Sequence, residues 1–143
     1  MSQAFFLDTN IFIYAQDPDN LSKQQIAQDL IRQALSSGQG TVSSQVVQEF
    51  CNVAGSKYAQ LISSSDLKDY LRVTMSRLWR HAPSLDFYCR AVELFERYSL
   101  KFYDALIIQA AIDLNCQALY SEDLQADRQF GSLKVVNPFS SVL

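Results

Sequence analysis

Residues 5–15 read FFLDTNIFIYA, and the fold follows from how this stretch is divided. Phe5, Phe6 and Leu7 form a short apolar run, consistent with a buried strand. The run stops at Asp8, and Ile11–Ala15 reads as a short helix. A carboxylate set among Phe6, Leu7, Ile11 and Phe12 is costly to bury without a partner. Asp8 therefore needs a partner from elsewhere in the chain.

Working outward, DPDN (17–20) is a turn, and residues 21–36 place Ile26, Leu30, Ile31, Ala34 and Leu35 at helical spacing, closed by Ser37-Gly38. Gly40–Ser43 reads as a second strand, followed by a helix over 44–58 with Val46, Val47, Phe50, Val53 and Ala54 on one face. A helix over 65–80 is expected, with Ser64 or Ser65 as its N-cap. Pro83 interrupts the chain before helices over 86–98 and 102–115. Gln117–Tyr120 is a strand, SEDLQAD (121–127) a turn, and Leu133–Val136 a last strand. Short apolar strands alternating with helices predict an α/β fold with a short central parallel sheet covered on both faces. No repeat, low-complexity tract or linker divides residues 1–143, so one domain is expected.

Composition narrows the function. The chain has 143 residues, 48% hydrophobic and 19% charged, which is a globular balance. No apolar run approaches the roughly 20 residues that span a bilayer, and the first residues lack the pattern of a signal segment. A cytoplasmic protein is expected. Cys51, Cys89 and Cys116 are widely spaced and odd in number, which suits reduced thiols. His81, in the expected loop HAPS, is the only histidine. Histidine-rich zinc sites and any chemistry needing two histidines are excluded. None of the four glycines lies in a dinucleotide or P-loop motif. Lys/Arg and Asp/Glu number two and five in residues 1–56, eight and five in 57–101, and two and five in 102–143, a balance of −3, +3 and −3. The middle third is where contacts with an anionic partner would be sought. A solvated helical face explains it equally well.

Four acids stand where an open α/β sheet binds ligands, beyond the carboxyl ends of its strands. Asp8 follows the first strand. Glu49 lies early in the helix after GTVS and borders its apolar stripe. Asp104 opens a helix that is apolar nearly all round. Asp123 follows ALYSE. Singly, each has a structural explanation: a helix cap for Asp8, a surface position for Glu49, a dipole contact for Asp104, a turn for Glu122 and Asp123. Converging at one edge, they would repel and raise one another's pKa. A divalent cation resolves that conflict, and hard oxygen ligands suit Mg²⁺ or Mn²⁺. Such ions activate water without a histidine base.

FFLDTNIFIYA, SSQVVQEFCNV (43–53), FYDALIIQAA (102–111), LYSEDLQ (119–125) and VVNPF (135–139), in this order and spacing, resemble the PIN-domain family, and within it the VapC-type toxins of bacterial toxin–antitoxin pairs. The resemblance covers almost the whole chain. It implies a three-layer α/β/α sandwich and a metal-dependent endoribonuclease that hydrolyses RNA with Mg²⁺ or Mn²⁺. Asp8, Glu49, Asp104 and Asp123 match the family's acids, as catalytic and metal-binding residues, with Glu122 and Asp127 near enough to compete for the fourth place. Asn10 matches a polar helper beside the first acid, and Ser44 or Ser121 would orient ligands or water. It further implies a homodimer and a small antitoxin as partner. Arg72, Arg77 and Arg80, with Tyr70 and Trp79 nearby, are candidate RNA contacts, although an amphipathic helix that packs or dimerises fits the same spacing better.

Two other readings share the opening strand. A haloacid-dehalogenase-type phosphatase requires a second Asp two positions after the first, where this chain has Asn10. A receiver-type phosphoacceptor requires paired acids that the sequence does not clearly offer. A non-catalytic RNA- or protein-binding module on the same fold is the remaining alternative.

Overall fold

The computed structural model describes residues 3–56 and 61–141. β1 (Phe5–Leu7) lies at the middle of the sheet and runs parallel to β2 (Gly40–Ser43) on one side and β4 (Ala118–Tyr120) on the other. Outside β2 lies β3 (Trp79–His81), also parallel. Outside β4 come β6 (Leu133–Val136), parallel, and β5 (Gln129–Phe130), antiparallel to β6. The order is thus β3-β2-β1-β4-β6-β5. The chain builds outward from β1 in one direction and then returns to build in the other. The crevice between the carboxyl ends of β1 and β4 is the switch point where such sheets bind ligands.

The helices flanking this mostly parallel sheet are α1 (Thr9–Ala15), α2 (Leu21–Ser37), α3 (Ser44–Ala54), α4 (Ser64–Tyr70), α5 (Ser76–Leu78), α6 (Leu85–Tyr98) and α7 (Phe102–Asp113). α2 ends at Gly38 in the left-handed conformation that glycine adopts without strain. Gly40 opens β2 because α2 lies against it: a Cβ there would overlap the Ala34 side chain and stand 2.6 Å from its Cα. Phe6, Leu7, Ile11, Phe12, Phe50 and Leu119 are fully buried, so the apolar flanks of Asp8 are core. α7 is buried from Ala105 to Ala111. Among the described residues no helix is long and apolar enough to cross a membrane.

Four expectations are corrected. The helix expected over 44–58 ends at Ala54 with Gly55 as its cap, and residues 57 and 58 lie outside the described residues. The single helix expected over 65–80 is capped by Ser63, whose hydroxyl accepts from the Asp66 N–H at 3.1 Å. It changes to π-helical winding over Leu71–Met75 and gives way to β3 at Trp79. Pairing with the free edge of β2 outweighs helix propensity there, and a three-residue strand is too short to show alternation. β5 was not expected for the same reason. His81 is no loose surface residue: it ends β3, packs on Phe87 with ring centroids 4.5 Å apart, and bonds Asp113 at 3.1 Å. Burial raises the Asp113 carboxyl, but bonds from Arg90, Gln109 and His81 outweigh it and hold it below the usual range.

Candidate active site

Asp8 is delivered by β1 to the switch point and caps α1, its Oδ1 accepting from the Thr9 N–H at 2.7 Å. Its Oδ2 accepts from the Ser121 hydroxyl at 2.7 Å. Ser121 is fully buried at the end of β4, and its Oγ also accepts from the Asp123 and Leu124 N–H groups at 3.2 and 3.3 Å. The β4 turn is thereby wound around the hydroxyl that holds Asp8. Asn10 closes the same turn: its amide donates to Asp123 Oδ2 at 3.2 Å and to Ser121 Oγ at 3.3 Å, while its carbonyl accepts from the Glu122 N–H at 3.2 Å.

Glu49, from α3, is held between two donors. Thr9 Oγ1 donates to its Oε2 at 3.0 Å and Gln45 Nε2 to its Oε1 at 2.6 Å. Thr9 thus ties the first acid to the second. Asp104, in the first turn of α7, makes no side-chain hydrogen bond among the described residues. Burial pushes its pKa up, Lys101 opposes this, and Asp123 and Glu49 push it further. For Asp8, only 7% exposed, burial is again the largest cause. Hydrogen bonds from Ser121 and Thr9 oppose it, Glu49 and Asp123 add to it, and the carboxyl is pushed up to about 6. Asp8 and Asp104 each feel Glu49 and Asp123, so the four acids form one electrostatic neighbourhood.

The acids that compete for the fourth place part company. Burial raises the Glu122 carboxyl, yet bonds from Lys23 and Tyr14, each 2.6 Å, outweigh it and hold it below its usual range. Its charge is thus already balanced by Lys23. Asp127 has a positive φ and lies 3.6 Å from Lys134. Asp123 is the one that turns to Asn10.

The PIN domain profile matches residues 5–129. The chain belongs to the PIN-domain family. Among solved structures it is similar to a chain of a toxin–antitoxin complex from Klebsiella pneumoniae, with 27% identity and a TM-score of 0.62 over 94% of this chain and 97% of that one. It is also similar to VapC20 of Mycobacterium tuberculosis, a sarcin–ricin loop cleaving toxin, at 15% identity and a TM-score of 0.61 over 84% and 92% of the two chains. A third is VapBC2 from Rickettsia felis, bound to a DNA fragment from its promoter, at 23% identity and a TM-score of 0.58 over 92% and 96%. At these last two identities the likeness is one of fold. No curated protein matches the sequence.

Some residues of this PIN domain stand apart from the acids. Ser44 Oγ donates to the His81 carbonyl at 3.1 Å and accepts from the Trp79 indole at 3.0 Å, so its hydroxyl is engaged at β3. Tyr70 packs on Phe50 at 5.2 Å between ring centroids, and burial pushes its phenol up to about 12. It belongs to the core side rather than to a stacking surface. Arg72 pairs with Asp69 at 3.7 Å, and neither it nor Arg77 or Arg80 lines the clefts that hold the acids. Lys101 and Arg128 do, flanking Asp104 and Asp123. They lie outside the cationic middle third or at its last residue, so a count by segments passed over them. Thr9 and Gln45 were also missed, since nothing in the sequence pairs either with Glu49.

The all-oxygen donor set, with no cation opposed to Asp8 among the described residues, has the chemistry of a hard-ion site. Among the described residues no three His, Cys, Asp or Glu side chains already stand together as a ligand group.

Proposed function

We propose that this PIN domain is a divalent-metal-dependent endoribonuclease and the toxin of a toxin–antitoxin pair. The observation that carries the reading is the carboxylate neighbourhood itself. Asp8 and Asp104 are pushed up by burial and by the same two acids, and Lys101 is the one cation that acts on Asp104. Acids that raise one another's pKa in this way cost stability, and a site whose function needs the charge explains why the cost is kept. Asp8, Glu49, Asp104 and Asp123 would hold Mg²⁺ or Mn²⁺. Bound there, the ion supplies water activation and charge stabilisation at a phosphodiester.

The chain's own residues position that site. Ser121 fixes the Asp8 carboxylate, Thr9 and Gln45 fix Glu49, and Asn10 fixes Asp123. Lys101 and Arg128 draw the RNA backbone to the Asp104 side of the crevice. The experiment is cleavage of total RNA by the purified protein with Mg²⁺, with Mn²⁺, or with EDTA. Cutting is expected with either metal and not with EDTA. Equal cutting in EDTA would remove the metal from the mechanism, and RNA bound but left intact would replace the nuclease with a binding module.

The toxin role is supported by the Klebsiella complex, a toxin–antitoxin structure that aligns over nearly the whole of both chains. A small cognate antitoxin, a homodimer and a cytoplasmic setting belong to this proposal. Light scattering is expected to give twice the chain mass of 16.2 kDa, and a mass near 16.2 kDa across concentrations would withdraw the dimer.

A further inference from the structure

We propose that the cleft between the start of α3, the end of β3 and the helices α6 and α7 receives one unpaired nucleobase of the RNA, next to the nucleotide being cut. The inference rests on the nuclease reading and names what that site recognises.

The first observation is Ser43. It is 4% exposed, and its Oγ is the one fully buried side-chain nitrogen or oxygen among the described residues that has no hydrogen-bond partner. It stands at the N-cap of α3, where a serine ordinarily accepts from the first turn, yet it makes no such bond. A native protein rarely leaves such a group unpaired, because burial removes water without supplying a partner. Ser43 is among the residues that line the cleft.

The second observation is the character of the walls. Tyr88 and Tyr103 are 41% and 71% exposed, and both line the cleft above the buried Phe87. No lysine or arginine is among the lining residues, which argues against a phosphate. Flat aromatic walls around a few polar groups are the means by which proteins hold unstacked bases. The cavity volume is about 130 Å³, well below the roughly 300–1,000 Å³ of ordinary small-molecule pockets, so one ring system fits and a dinucleotide does not. The Ser43 hydroxyl and the Gln48 carboxamide offer both donors and acceptors for a base edge.

The third observation ties the cleft to the acids. Gln45 lines it, and the same amide donates to Glu49 at 2.6 Å and to the Tyr103 carbonyl at 3.2 Å. Tyr103 precedes Asp104 in the chain. Gln45 therefore borders both the cleft and Glu49.

Sequencing the ends of RNA cut from a mixed-sequence pool tests the proposal. The parent is expected to favour one base at a fixed position beside the cut. Ser43→Ala and Gln48→Ala should each weaken that preference by about threefold to tenfold, the effect of one hydrogen bond. Tyr103→Ala should raise KM more than it lowers kcat. Ser43→Ala should melt no lower than the parent, since it removes an unpaired hydroxyl. An unchanged preference in both polar variants overturns the base cleft and leaves the nuclease standing. If the parent cuts no RNA, the nuclease reading fails separately, and the cleft is then read by titrating the four ribonucleosides and inorganic phosphate one at a time against backbone amide shifts. Shifts at Ser43, Gln48 and Tyr103 with a nucleoside, lost in Ser43→Ala, support it. Shifts with phosphate alone, or none, overturn it.

Discussion

Asp104→Asn is expected to reduce metal-dependent RNA cleavage by at least about a hundredfold, as loss of a charged group at a reacting centre ordinarily does, without lowering the melting temperature. The carboxylate makes no hydrogen bond among the described residues, so an amide of the same shape breaks no bond at this position. Nor does it disturb the buried run Ala105–Ala111 that anchors α7. What it removes is charge, at a place where burial and the Glu49 and Asp123 carboxylates already disfavour that charge. Thermal unfolding beside a cleavage time course separates the two effects. The same substitution is expected to lift the growth arrest produced by the parent when expressed in bacteria. Parent-like cleavage by a folded Asp104→Asn protein would take Asp104 out of the chemistry, and undiminished arrest at equal expression would separate toxicity from it.

Three of the four proposed acids stand out in the sequence because they break a local pattern. Asp8 interrupts an apolar run, Asp104 opens a helix with no polar face, and Glu49 borders a stripe that continues through Phe50. Each anomaly is a property of neighbours in the chain, which a sequence displays. The fourth acid was assigned to Asp123 by resemblance, with Glu122 and Asp127 near enough to compete. Glu122 lines the same cleft as Glu49 and Asp123, and what distinguishes it is its pairing with Lys23, 99 positions earlier in the chain. The same limit explains Ser44 and Ser121. Both follow a strand, but Ser44 meets the His81 carbonyl on a strand that sequence periodicity does not reveal, whereas Ser121 meets Asp8. The expectation for Arg72, Arg77 and Arg80 rested on a charge count along the chain. The cations beside the acids are Lys101 and Arg128, which come together across the fold.

Asp8→Asn is expected to abolish cleavage and yet make the metal-free protein more stable at neutral pH. In the folded chain the carboxyl is raised from 3.8 to about 6. Below 3.8 both folded and unfolded chains carry the proton, and Asp8 makes no difference to stability. Between 3.8 and about 6 the folded chain holds more protons than the unfolded one, so stability falls as pH rises. Above about 6 the loss is complete, and by linkage it amounts to about 3 kcal/mol. Asparagine cannot ionise, so in EDTA at pH 7.5 the variant should exceed the parent by up to about that amount, an upward shift of several degrees in Tm for a chain of this size. At about pH 4 the two should converge. Groups remote from Asp8 titrate alike in both proteins, so the difference between them reports Asp8 together with the acids coupled to it. Added Mg²⁺ or Mn²⁺ should then raise the parent's Tm and leave the variant's nearly unchanged, because a ligand stabilises only the folded form that binds it. A variant less stable than the parent by the same margin at both pH values would mean that Asp8 serves chiefly as the cap of α1. The residue that is hardest to bury would then have been kept for the fold. If the prediction holds, the apolar stretch around Asp8 is built at a cost to stability that only a bound cation recovers.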